Sequence, residues 1–240
     1  MTLLISENIS KEFNGLVAVN QVKFAVPEHQ VRALIGPNGA GKTTLVGLLS
    51  GRMQSSSGRI RFAGKDVTQL PAHKRIAMGM AYTFQITSIF PNLDVRENVA
   101  LAARRICDGR DQTERAVASA LEQVGLLDRA TEDAGDLSYG HQRLLEIAMG
   151  VAQSPRLLIL DEPTQGLADG EVAAFKELIA DLRKTTTVLL IEHNMDVVMQ
   201  VADFVTVLNN GQVLFEGTPQ EVQANAAVQA AYLGGADAEA

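Results

Sequence analysis

There is no tryptophan in this chain, and there is one cysteine among its 240 residues. That single thiol, Cys107, excludes an internal disulfide and any metal site built from several thiolates, and it fits an inert residue in a reducing compartment. No apolar run approaches the roughly 18 residues that a membrane-spanning helix needs. The N-terminus also lacks a charged segment followed by an apolar one, so a soluble, cytosolic chain is expected. Clustered positive charge is equally scarce. The formal net charge is -7, the pI is near 5.1, and the basic pairs Lys74-Arg75 and Arg104-Arg105 read as solvated helix faces. No nucleic-acid partner is expected, because a phosphate backbone requires grouped Lys and Arg. No internal repeat is present, and a chain of this length can bury a full core as one large α/β unit.

Glycine, by contrast, is concentrated where it has chemical meaning. Residues 36–44 read Gly-Pro-Asn-Gly-Ala-Gly-Lys-Thr-Thr, between the apolar run Val31–Ile35 and a helical-looking run at 45–50. Strand, glycine loop and helix is the context of a P-loop, and Gly36, four residues, then Gly41-Lys42-Thr43 is its spacing. The chain's own composition would yield only about 0.005 such matches by chance. Gly36, Gly39 and Gly41 let the backbone aim several N–H groups into one concavity, and the following helix adds its positive end. Lys42 would reach the β- and γ-phosphates of a nucleotide, and the Thr43 hydroxyl would be a ligand of Mg2+. Asn38 and Thr44 complete the set of phosphate-site candidates.

Around this loop, strands are expected at 3–5, 17–22, 23–26, Val31–Ile35 and 59–62, with a turn at Asn14-Gly15. Pro71 reads as the first residue of a short helix. Phe13 either stacks on a base or is an ordinary half-buried aromatic; its spacing does not decide between them. Gln85 follows an apolar strand and is placed to hydrogen-bond a metal-bound water, although a lone Gln is a weak signal. From 95 to about 152 the pattern is helical. Asp111 and Glu114 suggest a capping box ahead of 116–124, which Gly125 closes. Leu137-Ser138-Tyr139-Gly140-His141-Gln142 then opens another helix, where Ser138 is either a plain N-cap or part of a second anion site.

The apolar run 157–160 ends in Asp161-Glu162, two carboxylates at the end of a doubly buried strand, where α/β sheets bind ligands. Beside a P-loop, Asp161 would hold Mg2+ through water and Glu162 would polarise the attacking water. The strand Thr187–Ile191 leads to Glu192-His193 in the same way, and His193 is placed to contact the γ-phosphate. His29, His73 and His141 read as surface residues. Asn210-Gly211 signals a type I′ hairpin, and residues 218–221 a capping box.

With these residues together, the chain resembles the ATP-binding-cassette ATPases from about residue 3 to 234. The resemblance implies an α/β P-loop NTPase core of RecA-like type, with a small antiparallel β subdomain and an inserted α-helical subdomain. It implies one nucleotide-binding domain at 1–235, with core and β subdomain at 1–90 and 155–225, the helical insert at 91–154, and a frayed tail at 236–240. It makes Phe13 the adenine-stacking residue, Gln85 the Q-loop glutamine and a metal ligand beside Thr43 and Asp161, Glu162 the catalytic carboxylate and His193 the switch histidine. Ser138 and Gly140 become the signature contacts to ATP. Two departures stand out. The signature has Tyr139 where a glycine is usual, and Ala168 occupies the place of a usual Asp, with Asp169 one residue late.

Within the family the similarity is to the ATPase subunits of importers for branched-chain and other hydrophobic amino acids. It rests on Leu70-Pro71-Ala72-His73, Tyr82-Thr83-Phe84-Gln85, Ser138-Tyr139-Gly140, Ile191-Glu192-His193-Asn194-Met195 and Ala231-Tyr232-Leu233-Gly234. Urea importers and the ATPase of lipopolysaccharide export share parts of this set. The resemblance implies ATP and Mg2+ as cofactors and transmembrane permease subunits as partners. A second cassette, identical or paralogous, is implied too, and indirectly a periplasmic substrate-binding protein. It places the chain peripherally at the cytoplasmic face of the inner membrane. A soluble, non-transport cassette protein is the alternative from another class, but the paired cassettes, long coiled-coil insert or basic extensions usual in such proteins are not found here.

Overall fold

In the computed structural model, which describes residues 1–83 and 88–233, two sheets divide the chain's strands by their burial. The first sheet is antiparallel. Strands β1 (Thr2–Phe13) and β2 (Leu16–Pro27) pair along their length and are joined at Asn14-Gly15, whose φ values of 48° and 92° are those of the expected tight turn. The expected strands 17–22 and 23–26 are therefore one. β4 (Ser57–Phe62) and β5 (Lys65–Asp66) follow, giving the order β2-β1-β4-β5.

In the second sheet, β3 (Val31–Ile35), β7 (Leu157–Asp161) and β8 (Thr187–Ile191) are buried at every residue. This is the signature of parallel strands covered on both faces, and it explains why their sequences are continuous apolar runs. With β6 (Met80–Thr83), β9 (Phe204–Asn209) and β10 (Gln212–Gly217) the order is β10-β9-β3-β8-β7-β6, parallel except for the β9–β10 hairpin. Arg32 is the exception inside β3. It is buried between the rings of Phe24 and Phe204, 5.1 and 4.7 Å from their centroids, and pairs with Thr206 and Glu216.

Helix α1 (Lys42–Ser50) follows the glycine loop, and α2 (Ala72–Ala77) precedes β6. Between β6 and β7 come α3 (Val95–Ala103), α4 (Arg110–Gln123) and α5 (Tyr139–Val151). These three share one apolar core with β7, β8 and α6 (Asp169–Leu182), through Val99, Leu121, Leu145, Leu158, Leu160 and Phe175. Helices α7 (Met195–Val201), α8 (Pro219–Ala224) and α9 (Ala226–Leu233) complete the described chain. Thr218 and Glu221 form the expected capping box, and Asn210 and Gly211, with φ of 46° and 72°, the expected hairpin turn. The tail at 236–240 lies outside the described residues.

Three local expectations are corrected. Pro71 is the N-cap of α2 rather than its first residue, with extended ψ of 161°. Asp111 does not cap α4, which starts one residue earlier behind Gly109, and Glu114 turns sideways to pair with Arg96. The third correction is Arg75, expected on a solvated face and found fully buried. Its guanidinium donates to the carbonyls of Leu48 (2.7 Å), Leu49 (2.8 Å), Leu70 (2.8 Å) and Thr68 (3.1 Å), closing the C-terminal end of α1. Gly51 leaves the space, since a Cβ there would lie 2.6 Å from Arg75 Nε. Burial lowers the guanidinium pKa to about 10 against the opposing pull of Asp66. Arg75→Met fills similar volume but strips four buried carbonyls of donors, so it is expected to cost roughly 3 kcal/mol of stability. Urea titration of the two proteins checks this, and an unchanged midpoint would contradict it.

Candidate functional site

The C-terminal ends of β3, β7 and β8 lie side by side, and each delivers a polar group into the crevice beyond the sheet. After β3 the backbone turns through Gly36 and Gly41, with φ of 153° and 97°. Only glycine fits either place, because a Cβ at 36 would be 2.2 Å from the Leu208 carbonyl oxygen and one at 41 would be 2.5 Å from that of Ala18. The loop thus closes against β2 and the β9–β10 hairpin, and Gly211 N–H donates to Ala40 O at 2.9 Å. In front lies a cavity of about 600 Å³, lined by Asn38, Gly39, Gly41, Lys42, Thr43 and Thr44, by Glu162, by Leu16, Val17 and Ala18, and by Ala40, Asn210 and Gly211. Lys42 Nζ donates to the carbonyls of Gly36 (2.7 Å) and Pro37 (3.0 Å), which holds the ammonium across the loop. Burial lowers its pKa, and Glu162 and Asp161 work against that shift.

Asp161 ends β7 and is 5% exposed, and the Tyr82 hydroxyl of neighbouring β6 donates to its carboxylate. Tyr82 is itself covered by Arg52, whose guanidinium carbon is 4.0 Å from the ring centroid. Burial and the Asp161 carboxylate raise the phenol pKa, so Tyr82 stays a donor. Glu162 follows with φ of 48°, a left-handed conformation costing on the order of 1 kcal/mol for a non-glycine residue. Its N–H donates to Ile191 O at 2.9 Å, joining it to the end of β8. There, His193 Nδ1 lies 3.9 Å from Glu162 Oε1. Thus Lys42, Thr43 and Glu162 share one cavity, with Asp161 and His193 beside Glu162, while Gln85 lies outside the described residues.

Other expected site residues are not brought to this cavity within the chain. Ser138 caps α5, accepting from His141 N–H at 3.2 Å, and its hydroxyl lies 3.0 Å from His141 Nδ1. Gly140 is buried against Glu171, whose Oε1 a Cβ would meet at 2.1 Å. Tyr139 is 45% exposed and packs on Gly166. Phe13, 42% exposed on the β1–β2 hairpin, carries Lys11 over its ring at 4.9 Å and does not line the cavity. Ala168 occupies the N-cap of α6 and donates its N–H to Glu171 at 2.9 Å. The sequence assigned no role to Tyr82, Arg52 or the apolar wall of Leu16 and Val17, whose places in the site depend on tertiary contacts. It also passed over Glu192, read only as a strand-end residue yet fully buried.

The sequence matches the family described as ABC transporter over residues 19–165. The chain belongs to the ABC transporter family. It is an ATP-binding cassette and an ATPase of that family, and its final segment, 212–238, matches a family described as branched-chain amino acid ATP-binding cassette transporter. The high-affinity branched-chain amino acid transport ATP-binding protein BraF of Pseudomonas aeruginosa is 41% identical, covering 97% of this chain and 98% of that one. LivG of Escherichia coli, described in the same words, is 39% identical with the same coverage. Among solved structures, the ADP conformation of the MJ1267 cassette superposes with a TM-score of 0.90 at 30% identity, covering 98% of this chain and 99% of that one. Among the described residues no helix is long and apolar enough to cross a membrane.

Lys42→Ala removes the fixed cation of the cassette's loop. ATP affinity and turnover are expected to fall together, turnover by at least about a hundredfold, the scale of losing one preorganised electrostatic contact. Calorimetric titration with ATP and a phosphate-release assay check this, and parental values in both would refute the assignment of the loop.

Proposed function

We propose that this cassette powers an importer of branched-chain or other hydrophobic amino acids, working at the cytoplasmic face of the membrane on permease subunits that receive solute from a periplasmic binding protein. The observation that carries the reading is similarity over nearly the whole chain to cassettes described as branched-chain amino acid transport proteins. The match of 212–238 and the Ser138-Tyr139-Gly140 signature support it. Residues 1–235 act in this reading as one nucleotide-binding domain, with 91–154 as the helical insert that docks on the permeases.

In this reading each residue has a task. Backbone N–H groups of the loop 36–44 and the start of α1 cradle the phosphates, Lys42 fixes the β- and γ-phosphate charge, and Leu16 and Val17 offer an apolar wall for the base, with Phe13 outside the cavity on the same hairpin. The donor set of Thr43 hydroxyl and Asp161 carboxylate, joined by Gln85, consists of oxygens alone and suits Mg2+. Mg2+, when bound there, neutralises charge developing on the phosphates. Glu162 accepts the proton of the attacking water, and His193 binds the γ-phosphate and holds it in line. Because Ser138 and Gly140 do not reach their own chain's cavity, they serve the ATP of a second cassette, identical or paralogous, and ATP joins the two by binding only the paired state.

Two measurements test this. Deleting the gene is expected to abolish uptake of labelled leucine, isoleucine and valine; unchanged uptake of all three, with loss of another solute, would replace the substrate assignment. For assembly, the Glu162→Gln variant is expected to bind ATP without hydrolysing it and to double in mass by light scattering on ATP addition, alone or with its paralogue. Adding Ser138→Arg should abolish that change, and a protein that stays monomeric with saturating ATP and every paralogue would refute the pairing.

A further inference from the structure

Glu192 is buried at 0% exposure at the end of β8, and hydrogen-bond donors surround its carboxylate. Oε1 accepts from Thr164 N–H at 3.1 Å and from the Thr164 hydroxyl. Oε2 accepts from the N–H groups of His193 at 3.0 Å and Asn194 at 3.1 Å. One carboxylate therefore staples the turn after Glu162 to the turn that carries His193. The His193 side chain is 56% exposed, and its ion-pair contact among the described residues is the 3.9 Å approach to Glu162. Its position is inherited from the backbone at 192–194, which Glu192 anchors.

We propose that Glu192 is a positioning residue that fixes the distance between His193 and Glu162, and so sets the rate of hydrolysis without taking part in nucleotide binding. The inference rests on the roles given above to Glu162 and His193. Its chemistry is specific to a carboxylate. All four contacts come from donors, and an ionised carboxylate is acceptor-only, whereas a carboxamide must turn an NH2 group toward one pair of donors. Glutamine at this position keeps the shape but opens one arm of the staple, either at Thr164 or at His193 and Asn194. Buried N–H groups left without an acceptor are costly, so the opened turn relaxes toward another arrangement.

The test is single-turnover and steady-state hydrolysis of MgATP by the full chain, in the parent, Glu192→Gln, His193→Ala and the double variant. Glu192→Gln is expected to lower kcat by roughly tenfold or more with KM for ATP changed less than about twofold, the pattern of an interaction realised in the transition state. In the His193→Ala background the same substitution should cost less than about twofold, because residues acting through one another are not additive. A purely structural role would cost the same in both backgrounds. A kcat within twofold of the parent, or a full additional loss in the double variant, overturns the inference. If His193→Ala and Glu162→Gln themselves keep parental turnover, it is the reading of the site that fails. Should Glu192→Gln not fold, Thr164→Val decides: it removes the hydroxyl from the staple, and unchanged kcat in that variant refutes the role.

Discussion

The tightest constraint in the molecule is the meeting of three backbone segments around the glycine loop. The carbonyl oxygens of Leu208 and Ala18 stand where side chains at 36 and 41 would begin, and Ala18 O also lies 2.7 Å from a Cβ placed on Gly211. Two hydrogen bonds tie the arrangement, from Gly211 N to Ala40 O and from Asn20 N to Gly211 O. The antiparallel sheet, through β2, and the edge hairpin of the parallel sheet thus hold the loop in shape by themselves. A loop shaped by its neighbours does not spend binding energy on ordering itself, which is the advantage of a preorganised electrostatic site.

Three deeply buried ionic groups among the described residues, Arg75, Glu192 and Arg32, are each surrounded by hydrogen-bonding partners. Arg75 meets four carbonyls, Glu192 meets four donors, and Arg32 combines Thr206 and Glu216 with two aromatic faces. Desolvating a guanidinium or carboxylate is costly, and saturation of its hydrogen-bonding capacity offsets that cost better than one opposite charge would. Each such group also joins segments remote in sequence: Arg75 reaches back 27 residues to α1, and Glu192 28 residues to Thr164.

That remoteness marks the limit of what the sequence discloses. β3, β7 and β8 were legible because burial on both faces imposes continuous apolar runs, and Asn14-Gly15, Asn210-Gly211 and the box at Thr218 because their chemistry is local. Lys42 and Thr43 stood out by the spacing of the glycine loop, and Asp161, Glu162 and His193 by their places at the ends of recognisable strands. Arg75 and Glu192 could not. The partners that bury them, Leu48 and Leu49 for Arg75 and Thr164 for Glu192, come from other elements. Asp111 failed differently, since Gly109 offers the chain an earlier start to α4 and Arg96 draws Glu114 away. The pairing of Tyr82 with Asp161 depends on β6 lying beside β7, which follows from sheet order alone.

Tyr139 stands where a glycine is usual, and its ring lies against Gly166, with Cε1 3.0 Å from the position a Cβ there would take. Gly166 has φ of 78° and sits four residues after Glu162. Arg143, one turn further along α5, approaches the Glu162 carbonyl at 3.5 Å. The first turn of α5 and the loop after β7 are therefore packed against each other. A side chain at 166 would crowd the Tyr139 ring and would also be strained by the positive φ there. In the paired cassettes proposed above, this contact would set the residues that face the neighbour's nucleotide directly against each subunit's own catalytic loop.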